Sequence, residues 1–274
     1  MKKLWVIFFL ISGLLKAQEA LTEDPIATIP FQQLDLISFD TKDQIFASNT
    51  KGDIYLYDSK GSQKNYFSPP RQGKLNQLEA NWTVNIFSFS YDLQSYQILD
   101  RFLNPISDGS LMIPDINLAK AATLGNNNVV WIWDESDFSL KRMDFLRKII
   151  LDSQPLNLIL DIGILDVKEI REFKNMLFMN VPQTGVFIFD NQGNLIKKLE
   201  QQGIERLCFW KEYLLWIENE TIWSVSIENG EKSPLMESPI PEATGIQIGQ
   251  ENIAIYGQDK IYLYQLPEKI KTLN

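Results

Sequence analysis

"IFASNTKGDIYLYDSKGS", residues 45–62, carries three signals in one short stretch. An apolar run follows Gln44. A polar turn ending in Gly52 comes next. A second apolar run, Ile54 to Tyr57, then stops at Asp58, with Gly61 three residues on. "VFIFDNQGN", residues 186–194, repeats the last part with Asp190 and Gly193. Asp hydrogen-bonds its own backbone two residues on, and Gly accepts positive φ without steric cost, so both stretches read as strand-to-strand turns. A calcium loop would need acids at alternate positions and a distant Glu, which neither stretch has.

The first apolar run is the anchor of a repeat. It recurs as "IFSFS" after Asn85, "VVWIW" after Asn128, "MLFM" after Asn175, "LLWI" after Tyr213 and "IAIY" after Asn252. Counted from the residue that opens each run, the steps are 41, 43, 47, 38 and 39 residues. That spacing suits a unit of four short strands. A shorter run precedes most anchors, as in "LDLISF" at 34–39, and a third run follows, as in "GVFIFD" at 185–190. A more polar fourth, "NLIKKLE" at 194–200, closes the unit with lysines that discourage edge pairing. The units fall at about 31–70, 74–114, 118–153, 158–201, 203–238 and 243–273.

The anchors are apolar on consecutive residues, so both faces of each strand must be covered. A two-layer sandwich leaves most strands one wet face. Sheets stacked around an axis cover their middle strands on both sides. The expected fold is therefore all-β, a β-propeller of six blades with four antiparallel strands each. The last unit lacks a fourth strand, and "PIATIPF" at 25–31 is expected to supply it and close the ring. The least regular unit contains "MDFLRKIIL" at 143–151, where Met143, Leu146 and Ile150 also suit one helical face.

These units resemble the blades of WD-type and quinoprotein-type propellers: strand, turn, strand, then an Asp/Asn–Gly turn, as in "IFASNTKGDIYLYDSKGS" and "LLWIENETIWSVSIENGE". The likeness spans 31–273 and implies a fold, not a function. The dipeptides that lock WD blades and the docking Trp of quinoprotein blades are missing. The stretch "LNQLEANWTVNIFSFSYDLQSYQILDRFLNP" at 75–105 looks like exported Bacteroidota proteins, a resemblance that implies no catalytic motif.

The N-terminus, "MKKLWVIFFLISGLLKAQ", opens with Lys2 and Lys3, followed by an apolar core and, after Lys16, a small residue, Ala17. It reads as a secretory signal peptide over 1–17, too short to span a bilayer. Residues 18–30 then form an N-terminal segment and 31–273 a single propeller domain. A periplasmic or secreted location is expected. Cleavage would shift the formal charge from −9 to −12. Such acidity argues against nucleic acid, whose phosphates demand clustered Lys and Arg. The lone Cys208 excludes an internal disulfide, and the absence of His removes the commonest general base. The sequence thus favours a monomeric binding or scaffold propeller of the bacterial envelope, without a cofactor, docking an exported protein or peptide.

Loops between second and third strands, with those joining blades, should share one face. They would carry Asp92, Asp134, Asp137, Glu218 and Asp259, and the joining loop "PPRQGK" adds Arg71. Such a ring suits Ca²⁺ or a basic peptide; the plainer reading is a solvated acidic rim. "NPISDGSLMIPDINLA" at 104–119, with Asp108 and Asp115, reads as a long insert and a partner patch. Trp131 and Trp133 point the same way and are expected to pack between blades. The alternative function is a propeller hydrolase or lactonase with Ca²⁺ held in the channel by carboxylates such as Glu79, Glu169 or Glu205.

Overall fold

The computed structural model describes residues 24–80, 85–160 and 165–273; the signal-like stretch 1–17 lies outside the described residues. The chain enters with β1 (Ala27–Pro30) and then builds sheets in order. Blade 1 is β2 (Leu34–Phe39), β3 (Ile45–Asn49), β4 (Ile54–Tyr57) and β5 (Gln63–Phe67). Blade 2 is β6 (Gln77–Glu79), β7 (Asn85–Ser90), β8 (Ser95–Asp100) and β9 (Pro105–Ser110). Blade 3 is β10 (Ala119–Leu124), β11 (Val129–Asp134), β12 (Ser139–Asp144) and β13 (Ile149–Pro155). Blade 4 is β14 (Glu169–Phe173), β15 (Met176–Val181), β16 (Gly185–Phe189) and β17 (Leu195–Leu199). Blade 5 is β18 (Phe209–Trp210), β19 (Tyr213–Glu218), β20 (Thr221–Ser226) and β21 (Lys232–Glu237). Blade 6 is β22 (Gly245–Ile248), β23 (Asn252–Tyr256) and β24 (Lys260–Gln265), and β1 is its fourth strand.

Every sheet has four strands, all paired antiparallel. First strands meet first strands around the axis: β2 touches β6 and β22, and β10 touches β6 and β14. This is the six-bladed propeller, and burial shows why the anchor runs form it. β3 and β23 are buried at every residue, and β7, β11 and β15 at every residue but the first. The outer β13 alternates between exposed and half-buried. Six apolar clusters form, each drawn mainly from two neighbouring blades. Phe46 packs between blades 1 and 2, Trp131 between 3 and 4, and Phe178 between 4 and 5. Consecutive apolar residues therefore serve two interfaces at once, which a one-sided sheet would not require.

The turns are built as their residue types dictate. Asp58 Oδ1 accepts the Lys60 and Ser62 amides at 3.0 and 2.9 Å, and Asp190 Oδ1 accepts those of Gln192 and Asn194 at 2.8 Å. Gly61 takes φ +80°, and a Cβ there would sit 2.6 Å from the Ala27 Cβ of β1. The turn of blade 1 thus leaves room for the strand that closes blade 6. In that closure Thr28 faces Tyr262 and Ile29 faces Ile261.

Two expectations need correction. Residues 104–119 are not a single insert: Pro105–Ser110 is the outer strand of blade 2, and only the stretch after it joins the blades. The turn before β9 is the same aspartate turn, with Asp100 Oδ1 accepting the Phe102 and Asn104 amides at 2.8 Å. Leu103, at φ +68°, stands where the turns of blades 1 and 4 have Gly61 and Gly193, and that hid the strand. The helical face at 143–151 does not form. Met143 belongs to β12, Ile150 to β13, and Leu146 lies on the turn between them.

Candidate functional site

The loops between second and third strands put Asp92, Asp134, Asp137, Glu218 and Asp259 on blades 2, 3, 5 and 6. They do not converge on one point. Among the described residues no three acidic, Cys or His side chains are close enough to hold a metal ion. Asp92 and Asp259 are exposed. Glu218 pairs with Lys232 at 2.9 Å. Asp108 and Arg71, expected on separate elements, line one cavity between blades 1 and 2.

Asp115, Asp134 and Asp137 do come together, around the chain's own cation. Lys141 Nζ donates to Asp134 Oδ2 at 2.7 Å, to Asp137 Oδ2 at 2.6 Å and to the Asp115 carbonyl at 2.7 Å. β11 and β12 form a hairpin that carries Asp134 and Lys141, so the ammonium folds back toward the turn. Asp134 is fully buried and also accepts the Asn117 and Leu118 amides, pinning the start of β10. Burial pushes its pKa up, but the Lys141 hydrogen bond and those from Asn117, Ser136 and Leu118 outweigh it, and the carboxyl sits below its ordinary value. Burial pulls Lys141 down, and the two aspartates more than restore it, above the ordinary lysine value. The Asp134 contribution to stability is therefore lost as pH falls through its lowered pKa, and the Lys141 contribution as pH rises through its raised one. The cluster is a structural lock whose cation is built in.

The channel centre is a second such network. Glu79 ends β6, and Glu169 and Arg171 lie on β14; all three are buried. Arg171 Nη2 is 2.9 Å from Glu169 Oε1. Glu169 Oε2 accepts the Leu207 amide at 3.0 Å, and Gln247 Nε2 donates to the Leu207 carbonyl at 3.2 Å. Gln77 Nε2 donates to Glu79 Oε1 at 2.5 Å and to the Ile170 carbonyl at 3.3 Å. Arg206 crosses from blade 5 to donate to the Asn76 carbonyl at 2.8 Å. Glu205, the third carboxylate named for the channel, is exposed and pairs with Lys168. This donor set does not fit Ca²⁺, which wants a cage of oxygens, because a guanidinium stands among the carboxylates.

Burial pushes the Glu79 carboxyl up to about 7, with Arg171, Thr123 and Gln77 holding it back. A raised acid binds its proton more tightly in the fold than in the unfolded chain. Stability should therefore fall as pH rises from the ordinary Glu range through about 7. The loss amounts to at most about 3 kcal/mol. Glu79→Gln is expected to flatten that slope and to leave the protein more stable than wild type at pH above 7. Urea unfolding across this range reads it; an unchanged slope would show that Glu79 is not the group responsible.

Sequence reading missed Arg171, Gln77 and Gln247. The available signal was a polar residue inside an otherwise apolar first-strand run, as in "QLE" and "EIREF". Cys208 is a buried core thiol, and its pKa is pushed up to about 12 by burial, so it is no nucleophile. Trp131 and Trp133 are buried between blades 3 and 4, and Trp131 Nε1 donates to Glu172 Oε2 at 2.7 Å. They form no stacking platform.

No family model and no curated protein matches the chain. Solved propellers do match it. The WD40 domain of Neurospora crassa Pan2 is 11% identical, with a TM-score of 0.59 over 85% of this chain and 78% of that one. The beta-propeller domain of Cps50 (Swd1) from Myceliophteria thermophila is 12% identical, with a TM-score of 0.63 over 89% of this chain and 99% of that one. Streptogramin B lyase is 15% identical, with a TM-score of 0.56 over 88% and 86%. At such identities the likeness is one of fold, and one of these propellers is an enzyme while another is named only as a WD40 domain. The chain shares the β-propeller fold of these proteins.

Proposed function

We propose that this protein is a non-catalytic binding scaffold of the bacterial cell envelope, exported as a monomer, which docks another exported protein or peptide. The observation that carries the reading is the buried charge network on the innermost strands, in which a guanidinium stands among the carboxylates. There Glu169 pairs with Arg171 and accepts the Leu207 amide, and Glu79, its carboxyl raised by burial, accepts from Gln77. The outside of the ring is better furnished for contact. Tyr66, Phe102, Ile106 and Met112 are more than half exposed along the outer strands and turns of blades 1 and 2. The signal-like N-terminus supports export. Cross-linking in intact cells, followed by purification of the full chain from the envelope fraction, tests the reading. One exported protein recovered with the chain in near-equal amount is the expected result. Recovery of the chain alone, or from the cytosol, would overturn it.

A further inference from the structure

The apolar seal between blades 1 and 2 stops short, and what replaces it is polar. Low in that interface Leu36, Phe46, Leu56 and Leu78 pack together as at the other interfaces. Higher up, two cross-strand rows of blade 2 carry hydrogen-bonding side chains instead: Ser88–Gln97–Asp108 and Ser90–Ser95–Ser110. They line a cavity of about 270 Å³. Pro69, Pro70 and Arg71 of the joining loop form its other wall, with Leu75 and Leu93 as apolar patches. Ser88 is only 2% exposed, yet its hydroxyl has no partner among the described residues. The side chains of Ser95, Gln97 and Asp108 likewise make no hydrogen bond to a described residue. Arg71 is the one arginine of six with no ion pair, hydrogen bond or ring contact among the described residues, in a chain of net charge −9. Ser95 and Gln97 are half-buried and Arg71 and Asp108 exposed, so solvent can satisfy them; it is their convergence with Ser88 on one concave, polar-lined site that points to a ligand.

We propose that this cavity binds the C-terminal residue of a peptide or protein chain. Arg71 takes the α-carboxylate, as guanidinium groups take carboxylates in paired hydrogen bonds. Asp108 accepts the terminal amide N–H. The serines and Gln97, which donate and accept, satisfy the main chain, and Leu75 and Leu93 face an aliphatic terminal side chain. The proposal rests on the binding-scaffold reading and locates its contact.

The test uses the full mature chain and N-acetylated tripeptides ending in Val or Leu, each as free carboxylate and as amide, with free valine and leucine as a third arm. The carboxylate peptides should bind measurably by calorimetry, and amidation should weaken binding about 10- to 100-fold. Arg71→Met, an exposed loop position, should weaken the carboxylate peptides by the same factor and leave the amides unchanged, with an unaltered melting curve. Equal binding of carboxylate and amide, no binding, or binding of the free amino acids alone would each overturn the proposal. If Arg71→Met leaves envelope partner capture intact while the peptides fail to bind, the cavity assignment falls and the scaffold reading stands. If no partner is captured yet the peptides bind through Arg71, the reverse holds.

Discussion

Lys141→Met should destabilise the protein by about 3–5 kcal/mol, because it strips the counter-charge from a buried carboxylate while nearly keeping the side-chain volume. Asp134 is fully buried, and its two oxygens already accept backbone amides from Asn117 and Leu118. Without the ammonium its negative charge has no neighbour to offset burial, and the Asp115 carbonyl also loses its donor. In a domain of this size the loss corresponds to a melting temperature lower by about 10 °C or more. Adding Asp134→Asn to Lys141→Met should recover part of it, since a neutral amide tolerates the site better than a lone carboxylate. Thermal unfolding of the two variants measures both effects. A single variant within about 1 kcal/mol of wild type would mean that this interaction is a surface ion pair in disguise.

The second large effect concerns closure. Deleting residues 24–31 should lower the melting temperature by more than about 10 °C and promote aggregation. Ile29 and Phe31 are each about 5% exposed, and they pack against Ala254, Ile261 and Leu263 of blade 6 and against blade 1. Burial of each contributes about 1.5–3 kcal/mol. Their removal also uncovers the hydrogen-bonding edge of β24, which β1 pairs from Lys260 to Leu263. A Thr28→Cys/Tyr262→Cys pair, cross-strand neighbours in the register, should oxidise in the native state and hold the ring shut. A deletion that melts like wild type, or cysteines that stay reduced under oxidising conditions, would contradict closure by β1.

Legibility followed sequence distance. Blade number and strand order could be read because each blade is a local unit, and consecutive apolar residues signal two-sided burial within one strand. Turn chemistry was legible where glycine marked it, at Gly61 and Gly193. It was not at Leu103, where a non-glycine residue accepts positive φ and the outer strand behind it passed for an insert. The polar networks were illegible for a different reason. Glu79 and Arg171 lie on separate blades, and Arg206 reaches Asn76 across 130 residues. Such partners are brought together only by closing the ring. Asp134 and Asp137 drew notice as loop acids, but nothing short of the hairpin geometry puts Lys141 between them. The same holds for Arg71 and Asp108, singled out for unrelated reasons and found on opposite walls of one cavity.

We propose that the innermost strands hold the fold's own charges in place of a metal, so that the protein works through its outside. The decisive comparison is the melting temperature in EDTA against that in millimolar Ca²⁺. Equal values within experimental scatter are predicted. Saturation a hundredfold above a dissociation constant would add about 2.7 kcal/mol to the native state. A calcium-dependent rise of about 5–10 °C, lost in a Glu79→Gln/Glu169→Gln variant, would instead put a calcium site in the hub.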